Sequence, residues 1–553
     1  MNMILTFGTV VLGIVAFIVV LGIIILVHEG GHFLFARKYG ILCREFSFGM
    51  GPQLVHHKKG ETDYSIRAFP IGGFCAIAGE EAEDNPLKDS KQVRLVIENG
   101  IIQKICFEID SKLFKDIPLF DLKEYDLFDK EDTGKLYMTV VDANGGEMTL
   151  PVDKAASYLF HSKMYKKQEI KDSKTYKKYA KEFQIAPHNR TLNAKKKGQR
   201  VMVMVGGPMM NFILAIIVFF LSALIGGVSN TTVTTLSEVS NGTPAYEAGL
   251  REDYELESFT FRGNEYTLEN WEDISSTIDK YAEGNDYVDI VIKYTDAAGE
   301  EQTTSLKPMV AIYSVSMYQD INSDEVKVAE LDSSSKAYKA GVRTGDIITK
   351  VNGEDVSTWL DVYHSFEQVT DKGVSVTMDV TRDGESVDDI SVIPYSKDLF
   401  EKTQAVSYVD LIIGISPSVT HNLWKSLGDG FTKMYTSIKS MIFTLGLLIG
   451  SNEVGVKDLS GPVGIFSMTS SAAQRGIAYL LYWLGFLSVN IGFINLLPIP
   501  ALDGGRILFV IIEAIRKKAV SEKAQTIAIN VTYYALLALI VYVTFNDVLR
   551  IVK

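Results

Sequence analysis

Leu26-Val27-His28-Glu29-Gly30-Gly31-His32-Phe33 closes an uninterrupted apolar run that begins near Met3. A run of that length reads as a helix crossing a bilayer, which needs ~20 apolar residues. On such a helix His28 and His32 share a face, the arrangement that suits two imidazoles on one Zn²⁺. Glu29 then lies beside the metal, placed to accept a proton from a water that the ion activates. Two histidines and a glutamate cost free energy in lipid, so packing alone gives no reason for them there. The pentapeptide by itself is short, and it also suits a helix end that sets two histidines at the level of the lipid headgroups.

The chain of 553 residues is too long for one core, so several domains are expected. Four apolar stretches, at about 4–27, 206–228, 477–499 and 525–545, each approach the length of a membrane span. A further stretch at 423–450 is interrupted by Lys425, Asp429, Lys433 and Lys439. It reads as an amphipathic helix hugging the membrane, with a fifth span as the alternative. The first span lacks a basic leader and runs straight into His28, so it is expected to stay in the mature protein.

Basic residues cluster after the first span (Arg37, Lys38, Arg44, Lys58, Lys59), before the second (Lys195, Lys196, Lys197, Arg200) and between the last two (Arg506, Arg516, Lys517, Lys518). With four crossings all three clusters fall on one side, which the positive-inside rule makes the cytoplasm. The N-terminus, residues 230–476 and the C-terminus are then extracytoplasmic, in the cell membrane of a multi-pass protein. The net charge of −13 and the acidic outer segment give no sign of a nucleic-acid partner. Cys43, Cys75 and Cys106 all precede the second span and form no C-x-x-C pair, so they read as packing residues, neither disulfide-bonded nor metal-binding.

Between the spans, 41–80 alternates around glycine pairs and reads as hairpins, either dipping toward the membrane or lying on the surface. Residues 81–200 are a hydrophilic insert with strands near Leu95–Ile102 and Lys135–Gly146. The stretch Tyr165–Lys181 reads as solvated, and His161 and His188 are isolated surface residues. The outer segment repeats internally: Pro244-Ala245-Tyr246-Glu247-Ala248-Gly249-Leu250 recurs as Lys336-Ala337-Tyr338-Lys339-Ala340-Gly341-Val342, each followed by a strand, a glycine turn and a Trp-bearing helix. The second copy, with Gly345-Asp346-Ile347-Ile348 and Asn352-Gly353, resembles PDZ domains, which bind extended peptides or C-termini at a sheet edge. The first copy, with Asp253-Tyr254-Glu255-Leu256, is degenerate.

After the third span comes Asn495-Leu496-Leu497-Pro498-Ile499-Pro500-Ala501-Leu502-Asp503-Gly504-Gly505. Two prolines break a helix at membrane depth, where the lost hydrogen bonds need compensation. Asp503 falls on the same side as His28 and His32, where a carboxylate completes a two-His-one-Asp set and leaves a fourth position for water. The bland alternative is a capping Asp at a Gly-Gly turn.

H-E-x-x-H in the first span with N-x-x-P-x-P-x-L-D-G-G in a later one resembles the site-2 protease family, zinc metalloproteases that cut transmembrane segments of other proteins. Gly206-Gly207-Pro208-Met209-Met210-Asn211-Phe212 and Ser460-Gly461-Pro462-Val463-Gly464-Ile465 extend the match. The insert resembles the extra cytoplasmic region of Gram-positive members. The resemblance implies Zn²⁺ held by His28, His32 and Asp503, Glu29 as the catalytic residue, and Asn495 holding the substrate segment. Asn211 matches an asparagine of the second span that serves substrate binding or helix packing. The implied substrates are pre-cleaved single-span membrane proteins, such as anti-sigma factors and remnant signal peptides. A PDZ-bearing, non-proteolytic scaffold and a dedicated peptide-pheromone or leader-peptide processor are the alternatives.

The expected architecture is a multi-pass α-helical membrane protein of about four transmembrane helices, with membrane-associated β-hairpins, a cytoplasmic β-rich insert and two extracytoplasmic PDZ-like domains. Its segments are 1–40 (first span), 41–80 (hairpins), 81–200 (insert), 201–229 (second span), 230–310 and 311–400 (the two repeats), 401–476 (amphipathic segment) and 477–553 (last two spans with the LDGG motif).

Overall fold

Helix α1 runs from Asn2 to Lys38 and carries no charged side chain before Glu29. At ~1.5 Å per residue it reaches about 55 Å, well beyond a hydrocarbon core of ~30 Å. Its basic last turn, Arg37 and Lys38, therefore has room to stand clear of the lipid. The computed structural model describes residues 2–552 apart from 81–85, 89, 112–113, 130–132, 162–179, 334, 370–372, 398–399, 401–406, 451–454 and 457–458. Most of the Tyr165–Lys181 stretch thus lies outside the described residues.

Among the described residues, four helices are long and apolar enough to cross a membrane: Gly8–Lys38, Lys197–Gly226, Ile477–Asn495 and Glu522–Leu549. They coincide with the four apolar stretches of the sequence. The Leu423–Gly450 helix is not among them. The chain divides into two compact units, one of residues 1–215, 469–474 and 483–539, the other of 216–468, 475–482 and 540–553.

In the first unit, strands β1 (Cys43–Lys59) and β2 (Thr62–Ile77) form a hairpin that curls back on itself. Phe46 faces both Cys75 and Tyr64, and Phe48 faces both Gly73 and Ile66. The curl needs glycine. Gly49 has φ +85°, and a β-carbon there would meet the Phe69 carbonyl oxygen at 2.6 Å. Met50, Leu54, Val55, Ile66 and Phe69 are exposed on this hairpin, an apolar rim that water alone would not favour.

The insert folds as a sheet in the order β4-β3-β5-β6-β7-β8, built from Gln92–Glu98 (β3), Ile101–Cys106 (β4), Leu119–Asp126 (β5), Tyr137–Val141 (β6), Glu147–His161 (β7) and Ala180–Gln184 (β8). Asn99-Gly100, both at positive φ, make the tight β3–β4 turn, as an Asn-Gly pair between alternating strands should. β4 also pairs in parallel with β7, from Ile102↔Val152 to Cys106↔Leu159. The sheet thereby closes into a barrel around Val93, Leu95, Ile102, Ile105, Met138 and Val140, all buried. Closure hides strand edges, and β8 is left as the outer strand on β7. Cys43, Cys75 and Cys106 are free and buried, as expected.

In the second unit the internal repeat is realised twice with one topology. Each copy has a short helical turn (Pro244–Glu247; Lys336–Ala340), a four-stranded sheet and a helix starting at tryptophan (Trp271–Ala282; Trp359–Glu367). Asn270 with Asp273, and Thr358 with Asp361, form capping boxes that fix where those two helices begin. Residues 410–417, at the head of the segment read as amphipathic, are strands instead. Asp410–Ile412 pairs with Met309–Ile312, and Ile415–Pro417 pairs with Leu236–Val239 of the first copy. Tyr408, Val409, Leu411 and Ile413 are buried in the core of the repeats, and the charges that make an amphipathic helix begin only at Lys425.

Candidate active site

His28 and His32 are one helical turn apart on α1, and both are buried. Glycine lets the second span come close enough to meet them. A β-carbon on Gly31 would lie 2.1 Å from the Gly206 carbonyl oxygen, and one on Gly207 would lie 2.4 Å from His32 Nε2. Small residues at such a crossing allow helix backbones to touch. The same helix fixes both rings. His32 Nδ1–H donates to the Val203 carbonyl at 2.8 Å, which leaves Nε2 as the lone-pair nitrogen. The Asn211 carboxamide nitrogen lies 3.2 Å from His28 Nδ1, while its Oδ1 is buried without a partner. A half-turn of the carboxamide puts Oδ1 onto Nδ1–H and leaves His28 Nε2 with its lone pair as well. Ser488 Oγ donates to the Asn211 carbonyl at 2.8 Å and ties the third span to this point.

Asp503 arrives from the other end of the chain. The Ile477–Asn495 helix stops before Pro498 and Pro500, and the next helix starts at Asp503. The intervening turn satisfies part of its own backbone, with Leu497 N on Ile494 O, Ile499 N on Leu497 O and Leu502 N on Ile499 O. Gly504 and Gly505 are required by this turn: β-carbons there would fall 2.3 Å from the Leu496 and Leu497 carbonyl oxygens and 2.2 Å from that of Ile499.

The three groups meet. His28 Nε2 and His32 Nε2 are 3.3 Å apart, and each is 3.3 Å from Asp503 Oδ2. For a tetrahedral ion with bonds of ~2.0–2.1 Å, the ligand–ligand edge is about 1.6 times the bond, or ~3.3 Å. Asp503 Oδ2 is buried without a hydrogen-bond donor, which is costly unless a cation accepts it. The residues present therefore fit zinc.

These residues line one cavity of about 1170 Å³, together with Glu29 and Asn495. Glu80 and Arg506 form an ion pair on its wall. Burial raises the Glu80 carboxyl above its usual range, against the opposing pull of Arg506. Asn211 is fully buried behind His28 and does not line the cavity. Sequence reasoning overlooked the Val203 carbonyl, the Glu80–Arg506 pair and the reason for Gly206-Gly207. The glycine pair was the visible signal, since adjacent glycines inside an apolar helix ask for a close neighbour.

An H-E-x-x-H helix whose imidazoles converge with a carboxylate from a distant helix, in a chain with four membrane-length helices, defines a zinc metalloprotease set among membrane spans. The family model described as Peptidase family M50 matches residues 16–539, and the chain belongs to that family, the site-2 protease type. Among curated relatives, it is 28% identical to the zinc metalloprotease RasP of Geobacillus kaustophilus, over 97% of both chains. It is also 28% identical to the regulator of sigma-W protease RasP of Bacillus subtilis, over 97% of this chain and 98% of that one. A putative zinc metalloprotease of Staphylococcus aureus is 27% identical over 97% of this chain and 98% of the other.

Proposed function

We propose that the protein hydrolyses peptide bonds inside the transmembrane segments of single-span membrane proteins that another protease has already shortened. Anti-sigma factors are the leading class, by analogy with the sigma-W regulator above, and remnant signal peptides are a second. The observation that carries this reading is the 3.3 Å triangle of His28, His32 and Asp503 in one cavity with Glu29. His28, His32 and Asp503 hold the metal, which when bound supplies Lewis acidity to the scissile carbonyl and to water. Glu29 takes the proton of the attacking water and returns it to the leaving amine nitrogen. Asn495 on the cavity wall holds the substrate segment, and Asn211 acts from behind His28 by orienting its ring.

A helical substrate hides its carbonyls in backbone hydrogen bonds, so the segment must unwind to be cut. The β2 strand offers the unwound chain a template by strand addition. Gly73 brings it against α1: a β-carbon there would lie 2.8 Å from Ile25 Cγ2 and 3.6 Å from Glu29 Cγ. The exposed apolar rim of the hairpin faces lipid or the apolar substrate.

The basic clusters face the cytoplasm in this reading, and the two repeats are extracytoplasmic PDZ-like modules that act as a size filter against intact substrates. Strand capture on Met309–Ile312, which packs against the Trp359–Glu367 helix, is disfavoured, because Met317–Tyr318 pairs with one of its edges and Asp410–Ile412 with the other. The test is Glu29→Gln in the full-length protein, co-expressed with a truncated single-span substrate. Zinc should be retained and the substrate should stay whole. Continued cutting would remove Glu29 from its role.

A further inference from the structure

The catalytic cavity is larger than the chemistry needs. Pockets for drug-sized ligands hold ~300–1,000 Å³, and this one holds about 1170 Å³. It runs from His28, Glu29 and Asp503 along the hairpin to the insert, where Ser157 of β7 and Lys181–Gln184 of β8 form its far wall. That wall is fastened down. Arg44 Nε donates to the Gln184 carbonyl at 2.7 Å, and its guanidinium lies 4.0 Å from the centre of the Phe183 ring. Arg190 grips Glu61 with two hydrogen bonds of 2.5 and 2.6 Å, and Leu42 N donates to Arg190 O at 3.0 Å.

The lining is rich in charged side chains along this path. The apolar rim of the hairpin, with Phe69 and Met50 exposed, lies outside that lining. From the hairpin to the insert the lining is charged: Glu45 pairs with Arg67, Glu61 with Arg190 and Glu182 with Lys104, and Lys181 is exposed. A charged wall of this kind disfavours the apolar side chains of a membrane span, which would desolvate it without compensation. It suits a polar, extended peptide that can replace the water.

We infer that β8 of the insert forms a binding subsite for the polar segment flanking the scissile bond, so that the enzyme reads the end of the span as well as the span itself. This rests on the intramembrane protease reading above. The insert then contributes to substrate recognition, and its variants alter KM while leaving kcat near its original value, because they touch neither the metal ligands nor Glu29.

The experiment places a photo-crosslinking amino acid at Lys181, and in a parallel protein at Met50, both in the full-length Glu29→Gln background with a truncated single-span substrate. The expected result is crosslinking from position 181 to the polar flank and from position 50 to the apolar span. Crosslinking from 50, with none from 181 or with 181 reaching only the span, overturns the subsite and leaves the protease reading intact. Silence from both positions overturns the substrate reading and the subsite with it. As a second readout, Phe183→Ala in the active protein should raise KM about fivefold or more for a substrate with its polar flank. It should have no effect on one whose flank is replaced by a Gly-Ser chain, and zinc content should be unchanged. An equal effect on both substrates would also overturn the subsite.

Discussion

Gly207 stands so close to His32 that a β-carbon on it would sit 2.4 Å from Nε2, the nitrogen that faces Asp503. The second span thus reaches the metal-binding face of α1 only because this position has no side chain. Gly207→Ala should push the imidazole out of the triangle and reduce the zinc content of the purified protein at least tenfold. Gly198→Ala, on the same helix with nothing within 4 Å of its would-be β-carbon, should leave zinc content unchanged. Metal analysis of the two variants side by side checks both expectations.

Asn211 predicts a smaller effect of the same kind. Its carboxamide is the partner of His28 Nδ1 at 3.2 Å. Loss of such an outer partner typically costs ~10–100-fold in metal affinity. Asn211→Ala should therefore weaken zinc binding by about that factor in a competition titration with a chelator. Asn211→Asp, which keeps an acceptor for Nδ1–H, should recover most of it. Equal loss in both variants would assign Asn211 to helix packing alone.

Glu29 and Asp503 should separate cleanly. Glu29→Gln should keep zinc and lose activity by ~10²–10⁴-fold, the usual contribution of a positioned base. Asp503→Ala should lose zinc together with activity. Chelation followed by zinc add-back should restore the native enzyme and neither variant.

The Glu61–Arg190 latch gives a pH dependence. The hydrogen bonds from Arg190 hold the Glu61 carboxyl below its ordinary range. For an acid depressed in the folded state, the stabilisation is complete above the unfolded value of ~4.3 and is lost as pH falls through the folded one. The protection of the Leu42 and Ile185 amides, beside the latch, relative to unfolded chain at the same pH, should therefore fall as pH drops below the ordinary carboxylate range. Arg190→Ala should show low protection at neutral pH and little further change on acidification.

Much of this was legible in the chain. His28, Glu29 and His32 announce themselves because a helix repeats every 3.6 residues and lipid tolerates charge only for a reason. Asp503 was visible because two prolines and two glycines mark a broken helix at the end of an apolar stretch. The four candidate spans needed only length and hydropathy, and the repeat within residues 230–400 folded twice in one topology. Local pattern carries such information because each of these features is decided within a few turns of chain.

Other features involve partners far apart in sequence, and only the tertiary structure could decide them. Residues 410–417 complete sheets with strands about a hundred or more positions earlier, so their own composition could not show it. The barrel closes through a parallel pairing of β4 with β7, a contact with no local signature. The sequence by itself determined which residues could bind a metal and which helices could lie in a membrane. The 3.3 Å triangle, the ring orientations set by Val203 and Asn211, and the reach of the cavity to the insert depend on how distant backbones pack. Helix periodicity is a property of neighbours, whereas coordination is a property of convergence.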